Sequence, residues 1–454
     1  MKKNKAQQRY QMKSVNRFAL YLCAELICIS VHCSYAQNTH TIKAKEDRAL
    51  AQQILSDTSL SKVDAMGREL FKKGFNTGGG YSQVWIRDLN TFIDIAMDVR
   101  DTKDIRGALL VFFAMQQSNY EMIDGYVMKK DFTWGDNHPY HSPYDTAHVG
   151  FKNTVETDQE TSLIQAVSKY IRKTKDLSLL SEVIAGKTVL QRMDLMIDYL
   201  MKERFNKKYG LLWGAMTADW GDVQPNTDNV VDIDSTTTPA IDSYDNAMMI
   251  IALNDLAVMT TDKEQAAKCL HLGRKFYNNA RKYLWDTQKQ KFISHIYLDQ
   301  SPIPGGFDES KVYYHGGTAI AIEAGLLNKK EIAASNRHML ENVSLSGAPT
   351  IGLTIYPVYP LHFFHGSMSN PYTYQNGGDW PWFGGRMIQQ LALNGFSKEA
   401  YAELKPIINI IIRYNDFYEW YSVDGKPKGS NRFKGSAGAV CKAIEVLEAW
   451  AKQQ

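Results

Sequence analysis

Tyr374-Gln375-Asn376-Gly377-Gly378-Asp379-Trp380-Pro381-Trp382-Phe383-Gly384-Gly385 sets two glycine pairs around one carboxylate and three aromatic rings. An apolar helical pattern (Met387, Ile388, Leu391, Leu393) begins directly behind it. Pro381 suits the first turn of that helix, where no backbone N–H is needed, and Asp379 suits the N-cap. Glycines let the backbone approach a ligand closely, and indole rings offer flat apolar faces with one polar edge. A capped helix with core aromatics would use the same residues. The question is whether the design recurs.

It does. Clusters of glycine, aromatic and polar residues open apolar, small-residue-rich helical patterns at Asp88, Asp158, Asp245, His315, Asp379 and Ser436. Asp158 reads as the N-cap of its helix. Between neighbours lies at least one further helix with a polar face, such as Lys263 to Trp285 or Lys398 to Tyr414. Leu177 to Arg204 reads as one long helix and Asp131 to Phe151 as a long loop. Asn206 to Trp213 and Asp286 to Tyr297 read as short hairpins. The pattern predicts an all-α fold, an (α/α)6 barrel of six inner and six outer helices, with short hairpins in its loops. Parallel inner helices would gather their N-termini, and the clusters with them, at one mouth suited to polar ligands.

The chain has 454 residues, 44% hydrophobic and 22% charged, enough to bury a large core. A net charge of +3 without a basic block argues against nucleic acid as a partner. At the N-terminus, Lys13 and Arg17 precede an apolar run from Phe18 to Val31 and the small-residue site Ser34-Tyr35-Ala36. That is a signal-peptide pattern over 1–36, with Met12 a plausible start, leaving 37–454 as a single catalytic domain. Export to a periplasm or beyond follows, without a membrane span in the mature chain. Cys33 follows His32, a poor lipid-attachment context. The remaining cysteines, Cys269 and Cys441, sit in apolar helical patterns and read as buried thiols.

No HExxH, paired CxxC, GxSxG or P-loop motif is present. The acidic run Asp228 to Asp234 lacks EF-hand spacing, so no metal or organic cofactor is expected. What remains is carboxylates among aromatics. Glycoside hydrolysis needs one carboxylic acid to protonate the leaving oxygen and one carboxylate to activate water or attack carbon. Asp88 beside Arg87 suits gripping hydroxyls, with its pKa depressed by that neighbour. Asp219 and Asp222 flank Trp220, a stacking face. Asp245 opens an apolar helix whose neighbours would raise its pKa toward that of a general acid, with Asp242 in reserve. Glu419 lies between Tyr418 and Trp420.

The chain resembles the α/α-six-barrel glycoside hydrolases, most closely the neutral/alkaline invertases and more weakly trehalases, glucoamylases and processing α-glucosidases. Tyr81-Ser82-Gln83-Val84-Trp85-Ile86-Arg87-Asp88 resembles the family's substrate-binding motif, and Tyr374 to Pro381 its Tyr-Gln-Asn-Gly-Gly-x-Trp-Pro. The resemblance implies Asp245 as general acid and Glu419, in Phe417-Tyr418-Glu419-Trp420-Tyr421, as base. With Asp219, Trp220, Asp222 and His315 from the clusters above, the candidate sugar site comprises Trp85, Arg87, Asp88, Tyr374, Gln375, Asn376, Asp379 and Trp380 of the two matching motifs. The expected protein is an exo-acting, inverting hydrolase of oligosaccharides. Two alternatives stand beside it. One is a lyase, epimerase or unsaturated-uronide hydrolase using His138, His141 or His315; the other is a glycan-binding protein without chemistry.

Overall fold

The computed structural model describes residues 43–133, 139–225 and 230–454. The signal-like segment, His138 and Asp228 lie outside the described residues. Thr58–Leu447 form one compact unit, and the two ends of the chain form a second, in which 43–56 are helical.

Twelve longer helices carry the large unit. They are α1 (Thr58–Phe71), α2 (Ile86–Ala96), α3 (Thr102–Ala114), α4 (Gln159–Thr174), α5 (Val189–Glu203) and α6 (Ser243–Met259). Then come α7 (Lys263–Tyr283), α8 (His315–Glu323), α9 (Lys329–Ser346), α10 (Pro381–Leu393), α11 (Ser397–Tyr414) and α12 (Lys434–Ala451). Two kinds of helix alternate. Outer helices bury one stripe: α7 buries Cys269, Gly273, Phe276 and Ala280, at spacings of three and four. Inner helices are buried around most of their circumference, as α6 is from Ser243 to Ile250 without a break.

Polar residues on the inner helices find partners across the helix–helix contacts. Asn90 of α2 donates to Gln165 of α4 (3.2 Å), and Gln165 donates to the Met248 carbonyl of α6 (3.1 Å). Helices α2, α4, α6, α8 and α10 touch in succession, and each outer helix packs on an inner one. Small residues permit the approach. A Cβ on Gly385 of α10 would lie 2.9 Å from the Ala439 backbone of α12, and one on Gly438 of α12 would lie 2.4 Å from Phe92 of α2.

Small sheets fill the connections. Val84–Trp85 (β1), Gly125–Met128 (β2), Pro139–Ser142 (β3) and Asp145–Phe151 (β4) form an antiparallel sheet in the order β1-β2-β4-β3. The stretch 131–151, read as a loop, therefore carries a hairpin. β4 does carry the alternation of apolar residues that marks a strand, at Ala147, Val149 and Phe151, and the loop reading passed over it. The long helix from Leu177 is also broken. Ala185 and Gly186, both at positive φ, turn a hairpin between Val183–Ile184 and Lys187–Thr188. A capping box between Thr188 and Gln191 then starts α5. The hairpins near 206–213 and 286–297 are present.

Candidate active site

A cavity of about 470 Å³ opens where α2, α4, α10 and α12 begin. Tyr81, Trp85, Arg87, Asp88, Trp220, Asp222, Tyr374, Gln375, Trp380 and Glu419 all line it. Tyr81 and Glu419, 338 positions apart in the chain, thus meet in one wall.

Glu419 sits on Tyr418–Tyr421 (β5), which pairs with Pro427–Asn431 (β6) around an irregularity at this position. One carboxylate oxygen accepts from the Ser430 amide (2.8 Å) and the other from the Tyr81 hydroxyl (3.0 Å). Burial pushes its pKa up to about 7 against those two bonds, with Asp222 adding to the rise. The triple glycine 78–80 explains how Tyr81 arrives. The Gly79 amide donates to the Asn431 carbonyl (2.7 Å), the Gly80 amide donates to Ser430 (2.9 Å), and a Cβ on Gly78 would meet the Ser430 hydroxyl at 2.4 Å.

Asp222 lies on the same wall, in the turn after Trp220. Burial raises its pKa, opposed by Arg87 and by a hydrogen bond from Gln375. Its Oδ1 has no partner among the described residues. Asp88 is raised well above the ordinary carboxylate range, burial outweighing Arg87. That reverses the depressed pKa expected from the Arg87-Asp88 adjacency. The guanidinium turns instead to Asp158, at 2.7 and 3.1 Å, and to Glu156 at 2.7 Å. Asp158 does hold the N-cap position of α4, but its side chain makes no cap bond: it accepts from Arg87 and from Tyr244 (2.6 Å), which together hold its pKa down against burial.

Other expected site residues are structural. Asp379 does not cap α10, whose N-cap position is Trp380. It accepts from the Thr350 amide and hydroxyl (2.7 and 2.6 Å), while its backbone pairs with Tyr421 and so fixes β5. Pro381 does occupy the first turn. Asn376 is tied to the Tyr359 backbone (2.8 and 3.2 Å). Asp219, at φ +58°, accepts from the Gly316 and Gly317 amides at the start of α8 (2.6 and 2.7 Å). His315 is buried against Asn342 (3.1 Å), and burial pushes its pKa down to about 3. None of these four lines the large cavity. The expected stacking faces are also mostly covered. Trp220 is 2% exposed and Trp380 1%, with Trp220 stacked on Phe383 at 4.2 Å. Partly exposed Tyr81, Trp85 and Tyr374 offer the more accessible rings.

Asp245 and Asp242 lie elsewhere. They line a separate pocket of about 10 Å³ with Asp219, Thr217 and Tyr244, and Trp220 and Arg87 border both spaces. Asp242 caps α6 by accepting from the Asp245 amide (2.8 Å). Burial, then Asp242 and Asp158, raises the Asp245 pKa well above the usual range, in the direction expected. Glu419 and Asp245 therefore line two neighbouring spaces, which Arg87, Glu156 and Trp220 border in common.

The sequence reading missed Asp124, Lys152, Glu156 and Phe433, which also line the cavity. Glu156 carried a signal, two positions before Asp158; Asp124, between helix and strand, carried none. No histidine lines the cavity among the described residues, and His141 is exposed on β3. No cluster of described residues has metal-ligating geometry.

No protein-family model matches the chain, and no curated protein does. Solved structures do. The GH63 mannosylglycerate hydrolase from Thermus thermophilus matches with a TM-score of 0.59 at 13% identity, covering 84% of this chain and 99% of its own. The GH78 rhamnosidase of Bacillus sp. GL1 matches at 0.56 and 14%, covering 86% of this chain and 34% of that one. A rhamnosidase from Klebsiella oxytoca matches at 0.55 and 14%, over 87% and 63%. The fold is that of these glycoside hydrolases. A particular closeness to invertases or trehalases is not among these likenesses.

Proposed function

We propose that this protein is a glycoside hydrolase with Glu419 as general base and Asp222 as general acid. The observation that carries the reading is Glu419 itself: of the five carboxyls of raised pKa on the wall of one aromatic cavity, it stands near neutrality and feels the charge of Asp222, whose Oδ1 has no partner among the described residues. A base poised near neutrality and an acid whose pKa is raised are what the two roles call for. The fold shared with GH63 and GH78 enzymes supports the same class. Gly385 against Ala439 and Gly438 against Phe92 support closure of the inner helices into a six-membered ring inside six outer ones. A cavity of a few hundred Å³ supports action on chain ends of oligosaccharides. Inversion is the stereochemical expectation, and the N-terminal apolar segment supports export. Among the described residues no helix is long and apolar enough to cross a membrane.

Sugar release from an oligosaccharide panel, with NMR of the first-formed anomer, tests the reaction. Asp222→Asn and Glu419→Gln should each cost about 10²–10⁴-fold in kcat while the protein folds normally. Asp245→Asn is the decisive companion. If it abolishes turnover while Asp222→Asn stays within a few-fold of wild type, the acid is Asp245 and the present pairing is wrong. Binding of glycans without any turnover would leave only the glycan-binding alternative.

A further inference from the structure

Five carboxyl groups line the cavity: Asp88, Asp124, Glu156, Asp222 and Glu419. Two cations accompany them, and both are engaged. Arg87 is held by Asp158 at 2.7 Å and by Glu156 at 2.7 Å. Lys152 lies 3.5 Å from Glu121, with only 9% of its side chain exposed, and its remaining field falls on Asp124. Asp88, 6% exposed, and Asp222 both line this space, and each carries one carboxyl oxygen with no hydrogen-bond partner among the described residues. Those carboxyl oxygens suit sugar hydroxyls as donors, and the other unpartnered polar atoms of the lining, Thr77 Oγ1 and Trp220 Nε1, are uncharged. Among the described residues, a ligand carboxylate, sulfate or phosphate would find no cation that is not already ion-paired, and it would be desolvated beside carboxyl groups. A protonated carboxyl removes repulsion and can donate one hydrogen bond, but it brings no positive charge to pair with an anion.

We infer that the cavity selects an uncharged glycosyl unit and rejects anionic sugars such as uronic acids. This rests on the cavity being the sugar site, and it speaks against an unsaturated-uronide hydrolase or a uronate lyase on this chain. A free cation is the strongest partner for such an acid group, and none stands among the described lining residues.

Calorimetric binding to the wild-type protein at pH 7.5 tests the inference without any need for turnover. The ligands are three sets matched in stereochemistry: glucose, glucuronic acid and glucuronamide, and the galactose and mannose equivalents. For whichever set binds, the neutral sugar should bind about tenfold or more tighter than its acid. The amide, equal in size to the carboxylate but uncharged, should recover most of the difference. An acid that binds as well as its neutral twin overturns the inference. So does an amide rejected as strongly as the acid, because exclusion would then be steric. Failure of every neutral sugar to bind overturns it as well. Neutral binding without sugar release would instead sink the hydrolase reading and leave the charge selection standing.

Discussion

The Tyr81–Glu419 contact gives the sharpest test of the base assignment. Tyr81→Phe removes one hydroxyl and leaves the ring in place. That hydroxyl donates to Glu419 at 3.0 Å and so favours the charged carboxylate. A hydrogen bond to a charged acceptor is worth about 1.5–3 kcal/mol, and one pH unit of pKa is about 1.4 kcal/mol. Losing it should raise the Glu419 pKa from about 7 by about one to two pH units, with the Ser430 amide bond still in place. A base must be deprotonated to act, so activity rises with pH through this pKa. The acidic limb of kcat/KM should therefore move toward higher pH in the variant, read from initial rates on a chromogenic glycoside between pH 4 and 10. Activity at the new plateau should stay within about tenfold of wild type, because Glu419 itself is intact. A lower plateau with an unmoved acidic limb would refute the reasoning: Tyr81 would then be a wall residue, or Glu419 not the base.

Two further outcomes follow from the same carboxylate. Its pKa is raised from 4.5 to about 7, so the folded protein holds this proton more tightly than the unfolded chain does. The stabilisation is full below pH 4.5 and is lost as pH rises through about 7, amounting to about 3 kcal/mol. Glu419→Gln, permanently neutral, should accordingly be more stable than wild type in urea at pH 8.5, and equal stability there would contradict the burial argument. Gly429 lies at φ +67°, and a Cβ there would sit 2.4 Å from the Glu419 carboxylate. Gly429→Ala should keep its circular dichroism and lose about 100-fold in turnover through a displaced base, whereas near-normal kinetics would show that β6 does not position it.

The alternation of buried and striped helices was legible because periodicity reports burial directly. Helices α6 and α8, apolar and rich in small residues, cannot be mistaken for surface helices. The hairpin at Ala185-Gly186 was missed although its signals stood in the sequence: a glycine turn followed by a capping box. Both lay inside a run of otherwise good helix formers, and composition outweighed two turn residues.

Residue roles were less legible, for a physical reason. A carboxylate's chemistry depends on what its oxygens meet, and adjacency in sequence does not report that. Asp88 follows Arg87, yet the guanidinium turns to Asp158, 71 positions away. Asp245 stands at the head of an apolar helix and has the raised pKa that position promised. A raised pKa is necessary for an acid at neutral pH but says nothing about reach. Asp245 lines a pocket of about 10 Å³ beside the cavity, while Asp222, in the irregular turn after Trp220, lines the cavity itself. The turn is irregular because Asp219, at positive φ, is drawn to the amides of Gly316 and Gly317. The residue that looked like a sugar ligand is thus an anchor, and the one three positions later gains access to the cavity because that anchor is set.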